Sequence, residues 1–300
     1  MNTIEVTHLA KAFGSVQAVD DVSFSVATGE IFGLLGPNGA GKTTIIRLLL
    51  DILRPDRGTV TILGGPMTEA KKDRIGYMPE ERGLYQEMQL ESCLLYLAQM
   101  KGMEIAEARR RLARYLERFD LARQRQQKVK ALSRGMQQKA QIISTVLPHP
   151  ELLIVDEPFS GLDPVNTRLA KELLQELRAA GTTVIMSTHM MHQVEELCDR
   201  ILLINHGRNV LYGELAQIRH TFSGPALTVR VDGKFPSLTG VRETAQRNGA
   251  RQLALLDRTT PEDVLQQLAA KRIRVTQFEI AAPTLDEIFI QAVTAQAGTS

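Results

Sequence analysis

The sequence predicts an α/β protein built on a sheet with right-handed crossovers, followed by a small α+β unit. Three observations carry that expectation. A Gly-rich turn, Gly36-Pro37-Asn38-Gly39-Ala40-Gly41-Lys42-Thr43, stands between a strand-like run and a helix-forming run. A short unbroken apolar run, Leu152–Val155, ends in Asp156-Glu157, as a buried parallel strand does. Around them strand-like and helical patterns alternate, the order of a sheet with right-handed crossovers. At 300 residues the chain is long enough for two domains.

Taken in order, Ile4–Thr7, Val19–Val26 and Glu30–Leu35 are β-rich runs punctuated by Gly14 and Thr28-Gly29. A helix-forming run extends from Thr43 to about Leu53 and stops at Pro55-Asp56-Arg57-Gly58, after which Gly58–Leu63 reads as a strand. From about Leu90 to Leu147 the period turns helical. There Ile105, Ala108, Leu112, Tyr115, Leu116 and Phe119 form one apolar stripe. Residues 101–139 hold 12 Lys and Arg against 4 Asp and Glu. A solvated helical face explains that excess most simply, and a polar partner surface or anionic headgroups would be its functional version.

Leu152–Asp156 is the buried strand, and the helix after Pro164 buries Leu169, Leu173 and Leu177. Thr182–Ser187 follows as a strand, then Ile201–Ile204 and Val210–Tyr212 frame a hairpin around His206-Gly207. A break falls at Phe222-Ser223-Gly224-Pro225. Beyond it Leu227, Val229 and Val231 alternate with polar residues, and Gln252–Leu256 and Ile273–Ile280 read as strands. Thr260-Pro261-Glu262-Asp263 and Thr284-Leu285-Asp286-Glu287 both fit helix starts, the second as a capping box. The expected division is 1–222, with a helical part at about 88–147, and 223–300, in which the sequence offers no chemistry.

Composition narrows the class. Hydrophobic residues make up 43% and charged residues 23%, which excludes a disordered, collagen-like or coiled-coil chain. The 36 basic residues against 34 acidic ones argue against a dedicated nucleic-acid binder. No run approaches the ~20 apolar residues of a membrane helix. The opening MNTIEVTHLAKAFG lacks the basic and apolar regions of a secretory signal. Cys93 and Cys198 form no C-x-x-C pair and read as core thiols in a reducing compartment. A soluble intracellular protein is expected.

The Gly-rich turn fits G-x-x-x-x-G-K-[ST] in full. Its glycines let successive backbone N–H groups face the phosphates of a nucleotide, at a helix start that already favours anions. Lys42 would bridge those phosphates and Thr43 would ligate Mg²⁺. Asp156, at the end of the buried strand, would hold Mg²⁺ through its water shell. Glu157 is placed to polarise the attacking water as a general base. A nucleoside triphosphate site is expected, and the remaining histidines show no pairing that suggests a metal.

Between these motifs lies Leu132-Ser133-Arg134-Gly135-Met136-Gln137-Gln138-Lys139, and after them Ser160-Gly161-Leu162-Asp163 and Ser187-Thr188-His189. In order and spacing the set resembles the ATP-binding subunit of an ABC transporter over residues 1 to about 215. The resemblance implies a P-loop NTPase of ABC type, with a mixed-sheet core, an antiparallel β subdomain and a helical subdomain. It implies ATP and Mg²⁺ as ligands. Phe13 would stack on adenine, and Gly36 to Thr43 with Thr44 would hold the phosphates. Ser133 and Gly135 would cap the γ-phosphate of ATP held by an opposite subunit. Asp163 would couple the two sites, and His189 would contact the γ-phosphate.

The sequence departs from the family pattern in three places. Arg134 and Met136 replace a Gly and the Gln of the usual L-S-G-G-Q, while Ser133 and the second Gly are kept. In Gly76-Tyr77-Met78-Pro79-Glu80 the family's Mg²⁺- and water-contacting Gln aligns with Glu80, a stronger cation ligand that repels phosphate in the cation's absence. The run Pro79–Tyr85 and the tail Pro283–Phe289 resemble bacterial drug- and sodium-export ATPases with a C-terminal accessory domain. This implies a head-to-tail homodimer on a separately encoded membrane permease, at the cytoplasmic face of the membrane. Residues 82–97 would face the permease, and no nucleic acid is expected. Two other readings stay open: a soluble ABC-type ATPase acting on ribosomes or DNA, and a binding module without catalysis.

Overall fold

The computed structural model describes residues 1–297 apart from 82, 223–225, 248, 257, 258 and 281–283. The expected break at 223–225, Arg82 and Pro283 therefore lie outside the described residues. The chain divides into two compact units, Met1–Gly213 and Glu214–Ser300.

The first unit opens with strands β1 (Asn2–Phe13), β2 (Val16–Ala27) and β3 (Ile31–Leu35), helix α1 (Lys42–Leu49) and strand β4 (Arg57–Ile62). Short α2 (Glu69–Lys72) and β5 (Ile75–Met78) lead to the helices α3 (Leu90–Met100), α4 (Ile105–Arg118) and α5 (Arg134–Val146). Then follow β6 (Leu152–Asp156), α6 (Pro164–Ala179), β7 (Thr183–Thr188), α7 (Met191–Leu197), β8 (Arg200–Asn205) and β9 (Arg208–Glu214). The strands form two sheets. One is antiparallel, β2-β1-β4, and the other runs β5-β6-β7-β3-β8-β9 with its first five strands parallel. Every residue of β3, β6 and β7 is buried, which is why these stretches read as continuous rather than alternating runs.

The two sheets meet through Phe24 and Phe32, stacked 5.5 Å apart. Ile4, Leu9 and Val22 share that core with Ile45, Leu49 and Ile154. Helix α1 ends at Leu49, earlier than the expected Leu53, because Asp51 turns left-handed (φ 55°). On α4 the stripe is as spaced: Ala108, Leu112 and Leu116 are buried, with Phe119 just beyond. Part of the basic excess nearby is paired, Arg118 with Glu176 and Lys128 and Lys130 with Glu87. Exposed pairs of this kind contribute little to stability.

The second unit holds α8 (Leu215–Phe222), β10 (Ala226–Val231), β11 (Val241–Arg247), β12 (Ala250–Leu255), α9 (Pro261–Ala270), β13 (Val275–Ile280) and α10 (Leu285–Ala297). Its sheet is antiparallel, in the order β11-β12-β10-β13. Leu227, Val229 and Leu253 pack against Val264 and Leu268 of α9. Both expected helix starts are capping boxes, Thr260 with Asp263 and Thr284 with Glu287. Among the described residues no helix is long and apolar enough to cross a membrane.

Candidate active site

The strand order brings three loops together. β7 lies between β6 and β3, Leu35 pairs with Thr188, and Asp156 pairs with Ser187. The chain therefore leaves all three strands at one level, beyond the carboxyl ends where open α/β sheets bind ligands. A cleft of about 430 Å³ opens there, lined by Asn38, Gly39, Gly41, Lys42, Thr43, Thr44, Glu80, Asp156 and Glu157. Val16, Gln17, Ala18 and His206 complete its wall.

Two glycines shape the loop after β3. A Cβ on Gly36 would stand 2.4 Å from the Ile204 carbonyl oxygen, and one on Gly41 would stand 2.4 Å from that of Ala18. Their φ values are 154° and 109°, so a larger residue meets both a clash and a strained backbone. Gly41 caps α1 without a side-chain hydrogen bond, and no acid lies in the first turn. The N–H groups of that turn and the dipole behind them are left for an anion.

Lys42 is only 7% exposed. Its Nζ donates to the Gly36 carbonyl at 2.8 Å and to that of Pro37 at 3.2 Å, so the side chain curls back over its own loop. Burial pulls the ammonium below the usual lysine range, while Glu157, Asp156 and Glu80 oppose that shift. Asp156 is 2% exposed, and burial pushes its carboxyl above the usual range despite a hydrogen bond from Thr43 Oγ1 at 3.1 Å. Glu157 is held on both oxygens. Its Oε1 accepts from the His189 N–H at 2.9 Å and lies 2.7 Å from His189 Nδ1; its Oε2 accepts from Thr188 Oγ1 at 3.0 Å. Its backbone is left-handed (φ 50°), a conformation that costs free energy in a non-glycine residue and that clusters at working sites.

Asp156 and Thr43 offer two hard oxygens side by side. No group of three or more His, Cys, Asp or Glu among the described residues converges on a metal position. That donor set fits Mg²⁺, which keeps much of its water and completes its shell with substrate phosphates.

The other expected residues fall elsewhere. Gly36, Pro37 and Ala40 belong to the loop without lining the cleft. Phe13 is 47% exposed beside Lys11, whose Nζ lies 5.8 Å from the ring centroid, and it also stands off the lining. His189 reaches the site through Glu157. Ser133 caps α5 by accepting from the Met136 N–H at 3.3 Å, and a Cβ on Gly135 would lie 3.3 Å from the Gly161 carbonyl oxygen. Asp163 caps α6, and the Asn166 N–H and side-chain amide hold its carboxyl below the usual range. Ser133, Gly135 and Asp163 thus lie off the cleft lining.

Sequence reasoning missed three parts of the site: the bond from Thr188 to Glu157, the wall from β2, and His206. Thr188 stood beside His189 in a recognised motif. The wall had no local signal, because it depends on Ala18 packing against Gly41 and Gly207.

Comparison with known proteins gives the family. Residues 19–160 match the family described as ABC transporter, and residues 213–293 match that described as ATP-binding protein DrrA1-3-like, C-terminal domain. The uncharacterized ABC transporter ATP-binding protein YhaQ of Bacillus subtilis (strain 168) is 39% identical over 97% of this chain and 98% of its own length. The Nod factor export ATP-binding protein I of Rhizobium sp. (strain N33) is 34% identical over 96% of each. A solved structure of the ATP binding subunit of an ABC transporter superposes with a TM-score of 0.69 at 36% identity, covering 73% of this chain and 93% of that one. With similarity of this extent across both units, the chain belongs to the ABC transporter ATP-binding proteins and is an ATPase of that family.

Proposed function

We propose that this chain is the ATP-hydrolysing subunit of an exporter, working with Mg²⁺ as a head-to-tail pair. It would sit at the cytoplasmic face of the membrane, held by a separately encoded permease. The carrying observation is how the motif residues divide. Lys42, Thr43, Glu80, Asp156 and Glu157 share one cleft, while Ser133, Gly135 and Asp163 lie off it at two helix starts. Residues that complete a γ-phosphate site from outside require a second copy to supply them.

The chain's own groups then divide the work. Lys42 exchanges two loop carbonyls for phosphate oxygens, which compensate the ammonium better in a buried setting. Glu157, held on both oxygens, accepts the proton of the attacking water as general base. His189 and Thr188 orient that carboxylate. Bound Mg²⁺ would neutralise charge on the phosphates, and Thr43 and Asp156 are the residues to hold it. Because the γ-phosphate is contacted by both chains, ATP favours the closed pair and hydrolysis removes the differential contact. Export is supported by the Nod factor export relative and by the matched C-terminal domain.

The test is affinity capture of tagged Glu157→Gln protein from detergent-solubilised native membranes with ATP and Mg²⁺. A stoichiometric multi-span protein is expected. Ribosomal proteins or DNA-bound factors in its place would overturn the exporter reading in favour of a soluble ATPase.

A further inference from the structure

The cleft has an end that the phosphate chemistry leaves unused. In the sheet, β8 flanks β3 on the side opposite β7 and β6. Asp156 ends β6 and Glu157 follows it, so the turn that follows β8 lies across the phosphate loop from them. That turn is His206-Gly207, and His206 lines the cleft beside Val16, Gln17 and Ala18. It is anchored to the loop, since the Gly207 N–H donates to the Ala40 carbonyl at 3.0 Å and the Asp20 N–H to that of Gly207 at 2.8 Å.

His206 is chemically available. It is exposed, and its imidazole makes no hydrogen bond or ion pair among the described residues. Its backbone is also unusual. Both turn residues are left-handed, with φ of 47° and 74°, the two-residue hairpin geometry that favours Asn-Gly or Gly-Gly. A histidine thus occupies a position whose backbone would suit Asn or Gly better, and its imidazole stands at the cleft wall. Beside it, Gln17 Nε2 donates to the Val19 carbonyl at 2.7 Å, which leaves the carboxamide oxygen as an acceptor.

We infer that His206, with Gln17, forms the nucleoside end of the cleft and hydrogen-bonds the ribose hydroxyls of the nucleotide. The inference rests on the reading of this cleft as the ATP site. With Lys42 and Thr43 fixing the phosphates toward β6, the sugar of a bound nucleotide extends toward β2 and the turn after β8. Groups there that both donate and accept match a vicinal diol.

The experiment measures equilibrium binding of ATP and of 2′,3′-dideoxyATP, with Mg²⁺ chelated to prevent turnover. Three proteins are compared: wild type, His206→Gly and Lys42→Ala. Glycine suits the φ of position 206, so the turn is retained. Wild type is expected to prefer ATP by roughly three- to tenfold, the size of one or two hydrogen bonds. His206→Gly is expected to lose most of that preference, what remains being the share of Gln17, with the coupling to the hydroxyls appearing only when His206 is present. Undiminished preference for ATP in His206→Gly would overturn the assignment. So would an equal loss for both nucleotides, which would make His206 a phosphate contact. Lys42→Ala separates the two levels: ATP binding as tight as in wild type would place the nucleotide elsewhere and remove the premise as well.

Discussion

At the scale of single residues, the cleft gives up stability for chemistry, and Asp156 shows it most directly. Burial raises its pKa from 3.8, so the ionised carboxyl is less favourable in the fold than in the unfolded chain. The sign follows. Well below 3.8 both states are protonated and the shift contributes nothing; as pH rises from the unfolded value through the raised folded one, the penalty grows to its full size and then stays constant. Asp156→Asn is therefore expected to raise the midpoint of thermal unfolding at pH 7. The gain should shrink as pH falls below 3.8, and the variant should lack ATPase activity throughout. A calorimetric series across that range checks it, and a variant less stable at pH 7 would contradict the account.

Glu80 gives a second prediction at this scale. It lines the cleft with Lys42 and Asp156 where the family pattern has Gln. Glu80→Gln should keep ATPase activity within a few-fold and lessen its dependence on Mg²⁺, read from phosphate release against Mg²⁺ concentration. A hundredfold loss would mean that this position works differently. These residues were legible in the sequence because phosphate binding needs fixed types at fixed spacing. Thr188 and His206 were not, since their parts depend on which strand ends become neighbours.

At the scale of elements, buried strands and amphipathic helices announced themselves. Leu152–Asp156 has the bounds expected, and the α4 stripe buries the residues its spacing requires. Two strands stayed hidden for opposite reasons. β5 is only four residues long and carries a glycine, and β11, Val-Arg-Glu-Thr-Ala-Gln-Arg, is a polar edge strand with no apolar alternation to see. The split of β1, β2 and β4 from β3 into separate sheets follows from long-range pairing. Helix capping supplies the prediction here. Thr260 accepts from the Asp263 N–H at 3.2 Å, and the Thr260 N–H donates to Asp263 Oδ2 at 2.8 Å. Thr260→Ala should destabilise α9 by about 1 kcal/mol and speed exchange of its amide hydrogens. Unchanged protection would show that packing of Val264 and Leu268 alone holds the helix.

At the scale of the molecule, the sequence places the boundary at 222/223, whereas the compact units divide nine residues earlier. Helix α8 accounts for the difference. Its Leu215 and Ile218 are buried, and it packs against α10 in the second unit. The near-balanced charge was legible from composition alone. Pairing of chains is what the resemblance implies, and the residues that would join two copies, Ser133 and Asp163, lie at exposed helix starts.

That pairing is the central claim, and the mass of Glu157→Gln protein in solution tests it most directly. Light scattering with saturating ATP and Mg²⁺ should give twice the 33.3 kDa of one chain, falling back to one on adding Ser133→Arg to the variant. A single-chain mass with ATP bound would contradict the head-to-tail account.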